Sequence, residues 1–270
     1  KENTKIIYPE QQWIWQCKND PNDPLPAVVN VTGSDCIFIN LTIKNNWGEL
    51  HKNDPLPKLD CNIENYESRV KPNGHQLAFK LNGEGTRLII LNCKIIADGA
   101  DTFSPASKSF GSYIRDTYFE GYTDFICPHG NCYISDSRFF NRGESPTLWH
   151  SGTMSRDEKL VVVNSSFDGI KDFKLGRYTH DAQIILINDT FSKNLADKKI
   201  YQAKPDVKWG ERIYYYNCKR EGGDFNWHKN NLSSSGYLPA PDMITAKWAF
   251  NGKWDPEKFI EINNLISFYN

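Results

Sequence analysis

A chain of 270 residues with 32 basic against 33 acidic side chains carries a net charge of -1, which leaves no electrostatic footprint for nucleic acid or an anionic membrane. Its 39% hydrophobic and 13% aromatic content is enough to bury a core, and a single domain over residues 1–270 is expected. No apolar run approaches the ~20 residues of a membrane span, and the polar start Lys1-Glu2-Asn3-Thr4 is not a signal peptide, so any export signal is expected to lie outside this sequence.

From the first elements onward one phrase recurs: a short apolar run, an Asn or Asp, then an apolar residue a few places on. CIFINLTI holds the first copy around Asn40. Residues 45–73 interrupt the repeat with Pro55, Pro57, Pro72 and scattered charges, and read as a long surface loop. The phrase then returns as LIILNCKI at Asn92, SYIRDTYF at Asp116, CYISDSRF at Asp136, VVVNSSF at Asn164, IILINDTF at Asn188 and IYYYNCK at Asn217, with steps of 24, 20, 28, 24 and 29 residues.

Each copy is β-branched or aromatic and bounded by turn formers, which reads as a strand followed by a corner. An antiparallel sandwich would need turns every ~8–12 residues, and a βαβ fold would need amphipathic helices that are not visible between Asn92 and Asn217. The expected fold is all-β, a single-stranded right-handed parallel β-helix, one strand phrase per coil. The Asn or Asp tolerates left-handed backbone angles and can form a ladder along stacked corners, so these residues are assigned to structure. Cys93 and Cys218 follow it as small buried groups. The seven cysteines show no zinc or redox spacing, and their odd number leaves at least one unpaired. From about residue 230 the chain holds a tail expected to pack on or cap the helix, with a short helix at Pro256–Leu265 expected to cap the last coil.

In such a solenoid, residues one coil apart in sequence stand about 4.8 Å apart in space. Gln76, Asp101 and Asp124 are 25 and 23 residues apart, and Arg177 follows 53 later, close to two coils, so the four are expected in one column. Two stacked carboxylates push their proton affinities apart, and an arginine on the same face can hold one of them ionised.

The segments around these residues resemble those of the pectin methylesterases, carbohydrate esterase family 8. Gly121-Tyr122-Thr123-Asp124-Phe125-Ile126-Cys127 is similar to the family's G-x-V-D-F-I-F-G, Asp101-Thr102-Phe103 to Q-D-T-L, Leu175-Gly176-Arg177 to the start of L-G-R-P-W, and His75-Gln76-Leu77-Ala78-Phe79 to Q-A-x-A-L. The ending from Ile244-Thr245 to Trp254-Asp255-Pro256 also resembles the family's. The resemblance implies Asp124 as nucleophile, Asp101 as general acid/base, Arg177 as the residue orienting Asp124, and Gln76 as oxyanion donor. It needs no metal or organic cofactor, and it implies that the family's first coil is missing before Lys1.

Three departures bear on substrate. Ala100 stands where the family has a second oxyanion glutamine, Tyr178-Thr179 replace Pro-Trp, and Cys127-Pro128 replace Phe-Gly. Phe103, Phe125, Trp149, His150 and Tyr178 are the expected substrate contacts. The implied reaction is hydrolysis of carboxyl-methyl esters of polygalacturonate through an aspartyl acyl-enzyme. The rival readings are an esterase acting on an acetylated or branched pectic chain, a non-catalytic polysaccharide-binding helix, and a lyase or glycoside hydrolase on the same fold. The expected partner is a pectic polysaccharide, met by a monomer that is secreted, periplasmic or at the cell surface.

Overall fold

The structure, a computed structural model, describes residues 4–19, 26–59, 61, 66–82, 87–107, 110–150, 155–204 and 207–268. Among them every strand pairing is parallel, and the chain passes through three faces in a fixed order on each turn. One coil runs through Leu77–Leu81, Arg87–Leu91 and Lys94–Ala97, and the next through Phe103–Pro105, Gly111–Arg115 and Tyr118–Gly121. Stacking yields an eight-stranded sheet, a seven-stranded sheet and a third face of two three-stranded halves. This is a parallel β-helix, as the repeat predicts.

The recurrent Asn or Asp forms the corner between the seven- and eight-stranded sheets. All seven adopt left-handed angles, from φ 49° at Asn92 to 59° at Asn40, a conformation that short polar side chains tolerate best among non-glycine residues. Their amides ladder: Asn92 Nδ2 donates to Asn40 Oδ1 at 2.8 Å, Asn188 to Asn164 at 3.2 Å and Asn217 to Asn188 at 2.9 Å. The next residue along builds a second, inner ladder. Thr117 N donates to Ser137 Oγ, Ser137 N to Ser165 Oγ and Ser165 N to Asp189 Oδ1, at 3.1, 3.0 and 2.7 Å.

Two residues further on, the phrase places a phenylalanine inward. Phe119, Phe139, Phe167 and Phe191 continue a column begun by Phe38, Phe79 and Phe103, with successive ring centroids 4.4 to 5.7 Å apart. Each such buried ring contributes roughly 2–3 kcal/mol, so the column supplies much of what holds the coils in register.

Two expectations are refined, and one link was not foreseen. Residues 45–73 are more than a surface loop: they contain short helices at Trp47–Leu50 and Tyr66–Arg69, and they bury Trp47 and Val70. The segment is tied by a Cys17–Cys61 disulfide to a helix at Gln12–Lys18, which the apolar periodicity did not mark. The tail packs on the helix and first closes the edge of the last coil, where Asn231 N donates to Tyr215 O at 3.0 Å and Tyr215 N donates to Asn231 Oδ1 at 2.6 Å. It runs back over the outer face of the seven-stranded sheet, where Leu232, Ile244, Phe250, Trp254 and Ile260 cover Ile89, Tyr113, Tyr133, Val161, Ile185 and Tyr214. Its helix Pro256–Ile262 lies near the early coils, with Phe259 and Trp254 bordering one cavity with Ile37 and Arg87. Outward apolar side chains on that face need a cover of their own.

Candidate active site

The third face carries the site. Its two halves meet at residues 124–127, where single parallel bridges Phe103–Ile126 and Ile126–Leu148 carry the stack across. Asp101 and Asp124 open this face on successive coils, both in the left-handed region at φ 57° and 52°. Main-chain bonds from Asp101 N to Thr123 O (3.2 Å) and from Asp124 N to Pro146 O (2.7 Å) hold that conformation. The angle is the same as at the structural corners, so it sets the direction of the two side chains and does not by itself mark a site.

Arg177 reaches this pair from a different column. In the register Lys80–Ser104, Trp149–Arg177 and Arg177–Tyr201 it belongs beside Trp149, and its guanidinium extends sideways to Asp124. Nε lies 3.0 Å from both Oδ1 and Oδ2 of Asp124, and Nη2 also bonds Oδ2. Burial pushes Asp124 up to about 6 against the opposing pull of Arg177, with Asp101 adding to the rise. Burial pushes Asp101 up to about 7, again opposed by Arg177. The pair titrates as a unit in which the carboxyl bonded to arginine ionises first.

Gln76 is not in the site. Its backbone stacks on the same row, since His75 bridges Ala100, but Gln76 keeps a negative φ while Asp101 and Asp124 do not, so its side chain turns inward. It is fully buried, its Oε1 accepts from Gly48 N at 2.8 Å, and its Nε2 bonds Pro72 O. A Cβ on Gly48 or Gly99 would meet that amide at 3.0 or 2.8 Å, so glycine is required on both sides of it. The group facing the carboxylates is His75, with Nε2 3.4 Å from Asp101 Oδ2.

Four expected substrate contacts are likewise turned inward. Phe103, Phe125 and Tyr178 belong to the hydrophobic core, and His150 is fully buried with Nε2 2.9 Å from Gly130 O. The reason is strand alternation: neighbours of the outward Ser104, Asp124, Trp149 and Arg177 point to the opposite face. Trp149 does border the groove, edge-on to His129 at 5.2 Å.

The groove is a cavity of about 930 Å³, and it brings together Asp101, Asp124, Arg177, His75 and Trp149. Further cations line it, Arg69, Lys80 and Lys204. Sequence reasoning missed these three. Lys80 could have been found from the column it shares with Ser104 and, further along, Arg177, whereas Arg69 comes from the interrupting segment and has no repeat to mark it. Among the described residues, no group of three or more His, Cys, Asp or Glu side chains is placed to hold a metal ion, and no helix is long and apolar enough to cross a membrane.

No family model matches the chain, and no curated protein matches it in sequence. Its backbone does match solved structures. The pectin methylesterase from Yersinia enterocolitica is 19% identical with a TM-score of 0.63, over 93% of this chain and 85% of that one. That from Aspergillus niger is 17% identical with a TM-score of 0.62, over 93% and 72%, and that from carrot 13% identical with a TM-score of 0.56, over 86% and 70%. The chain thus has the fold found in pectin methylesterases of bacteria, a fungus and a plant.

Proposed function

We propose that the chain is a carboxylic ester hydrolase of the pectin methylesterase type, removing methyl esters from a polygalacturonate. The observation that carries this reading is a buried carboxylate gripped by arginine, Asp124, stacked one coil from a second carboxyl with a higher proton affinity, Asp101. Between pH of about 6 and 7 the first is ionised and the second protonated, the combination a nucleophile and a general acid require.

In the proposed reaction Asp124 attacks the ester carbonyl carbon of a methylated galacturonate. The tetrahedral intermediate collapses as Asp101 gives its proton to the methoxide oxygen, so methanol leaves and an acyl-enzyme anhydride remains. Asp101, now a carboxylate, takes a proton from water, whose oxygen attacks the uronate carbonyl carbon; the anhydride bond breaks to free ionised Asp124 and the uronic acid, which loses its proton to solvent. With Gln76 sealed in the core and Ala100 lacking a donor, the oxyanion falls to Arg177. Its Nη1 has no protein partner among the described residues, while Nε and Nη2 engage Asp124. Arg69, Lys80 and Lys204 suit a substrate bearing free carboxylates beside the methylated unit.

A polymeric pectic substrate is met outside the cytoplasm, and the Cys17–Cys61 disulfide fits an oxidising compartment. The loss of both expected oxyanion amides favours, as a second reading, an esterase for another ester on the same polymer. The test is methanol release from highly methylated pectin by the purified chain, with Asp124→Ala alongside and polymer length followed. Methanol from the unmutated chain alone at constant polymer length supports the proposal. Acetate in place of methanol, or binding with no product, overturns it.

A further inference from the structure

We propose that Trp13 and His75 form a proton lock on Asp101: the indole N–H fixes His75 as the neutral Nε2–H tautomer, and that N–H holds Asp101 Oδ2, leaving the transferable proton on Oδ1. The inference rests on Asp101 being the acid of the proposed reaction, and it assigns His75 and Trp13 as positioning residues for it.

Trp13 Nε1 lies 3.1 Å from His75 Nδ1, with the rings edge to face at 5.8 Å and 79°. An indole N–H only donates, so Nδ1 must present its lone pair, and a neutral imidazole then carries its hydrogen on Nε2. That nitrogen faces Asp101 Oδ2 at 3.4 Å, a contact that is not yet a formed hydrogen bond, and catalytic hydrogen bonds of this kind often close only once substrate is bound.

The surroundings keep the ring neutral. Burial is the main cause, and together with Arg69 and Lys71 it lowers the imidazole to about 4, against the opposite influence of Asp124. Asp101 is the other anion in contact. Arg69 also sits 4.1 Å over the Trp13 ring, and its carbonyl accepts from Gln11 Nε2 at 2.7 Å, so the same cation fixes the indole and opposes protonation of the imidazole. Trp13 belongs to the helix Gln12–Lys18, which the Cys17–Cys61 disulfide anchors, so the lock is supplied from outside the repeating coils.

The chemical consequence is specific. An imidazolium against Asp101 would hold that carboxyl ionised and remove the proton the leaving methoxide needs. The indole blocks this by occupying the nitrogen where the second proton would go.

The test is ¹⁵N NMR of the histidine side chains in the full chain, which reads tautomer and titration without any turnover. His75 is expected as the neutral Nε2–H form from pH of about 8 down to about 5. Trp13→Phe, which keeps a ring and loses the donor, should move the His75 midpoint up by about one unit or more and carry the acid limb of kcat/KM with it. His75→Gln retains a donor and should keep most of the activity, whereas His75→Phe should lose roughly tenfold or more in kcat.

A His75 proton on Nδ1 in the unmutated chain, or a midpoint indifferent to Trp13→Phe, overturns the lock. The first of these readouts needs no variant and so does not depend on Trp13→Phe folding. The expected tautomer and Trp13 dependence in a chain that releases no methanol would support the lock geometry while sinking the esterase reading.

Discussion

Arg177 grips both carboxylate oxygens of Asp124 from two coils further along the helix, with Nε 3.0 Å from each. Such a fork aims the Asp124 carboxylate, the proposed nucleophile, and stabilises its charged form at once. Arg177→Ala should lower kcat/KM at pH 7 by ~10²-fold or more, the usual penalty for stripping the partner from a buried charge. Of what then remains around Asp124, burial and Asp101 raise its proton affinity and only the weaker influence of His75 opposes them, so the acid limb of the pH profile should shift upward. Arg177→Lys keeps the charge and loses the fork, and should fall between the two. Steady-state kinetics across pH on the three proteins decides this.

The affinities of the carboxyl pair set a bell-shaped rate profile. The proposed reaction requires Asp124 ionised and Asp101 protonated. It should therefore fall below pH of about 6 as the nucleophile takes up a proton, and above about 7 as the acid loses one. Asp101→Asn should remove the alkaline limb along with most of the rate. A rate that instead climbs steadily to pH 10 would show that the pair is not used in this way.

Gln76 separates stability from chemistry. Its amide is buried and bonded at both ends to main-chain groups of the 45–73 segment. Gln76→Ala should therefore destabilise the fold by about 2 kcal/mol, seen as a lower urea midpoint, because it strands Gly48 N. The kcat of the protein that remains folded should be nearly unchanged. An oxyanion donor would give the reverse pattern, a large loss of kcat at unaltered stability.

Asp189 closes the inner hydroxyl ladder with a carboxyl group. It is fully buried, and its Oδ2 has no hydrogen-bond partner. Burial holds its proton affinity well above the ordinary carboxylate range. A folded-state affinity above the unfolded one gives a contribution that is complete below the unfolded value and is lost as pH rises through the folded one. Stability should therefore decline from pH of about 4 into the neutral range. Thr117 occupies the equivalent place two ladder steps before Ser165, so Asp189→Thr continues the ladder. It should gain about 1–2 kcal/mol at pH 8 and little at pH 4 in urea titrations.

The repeat made the solenoid legible because the corner residue does one job on every coil, and its left-handed angle admits few residue types. Asp101 and Asp124 were legible through their local segments and one-coil spacing. What misled was flanking sequence. Phe103, Phe125, His150 and Tyr178 adjoin outward residues and by strand alternation face the core. Gln76 shares a row with the two aspartates without sharing their backbone angle.

Trp13, Arg69 and the Cys17–Cys61 link left no trace in the repeat because they come from segments outside it. Only the folded chain shows which coil they approach. That the tail covers the seven-stranded sheet in particular was not foreseen, because nothing local shows that this sheet has an apolar outer face. That property belongs to alternate residues of strands far apart in sequence, such as Ile89, Tyr133 and Ile185.

The returning tail also alters how the molecule should come apart. A bare solenoid has only nearest-neighbour contacts and can fray from either end, one coil at a time. Here Leu232 and Ile244 sit in the cluster that holds Tyr214 of a late coil, and Trp254 reaches Ile89 of an early one. The tail acts as a splint laid across the rungs: opening the early coils also requires lifting a segment that the late coils still hold. Loss at either end is thereby communicated to the other, and a stack of separable turns behaves as one cooperative unit.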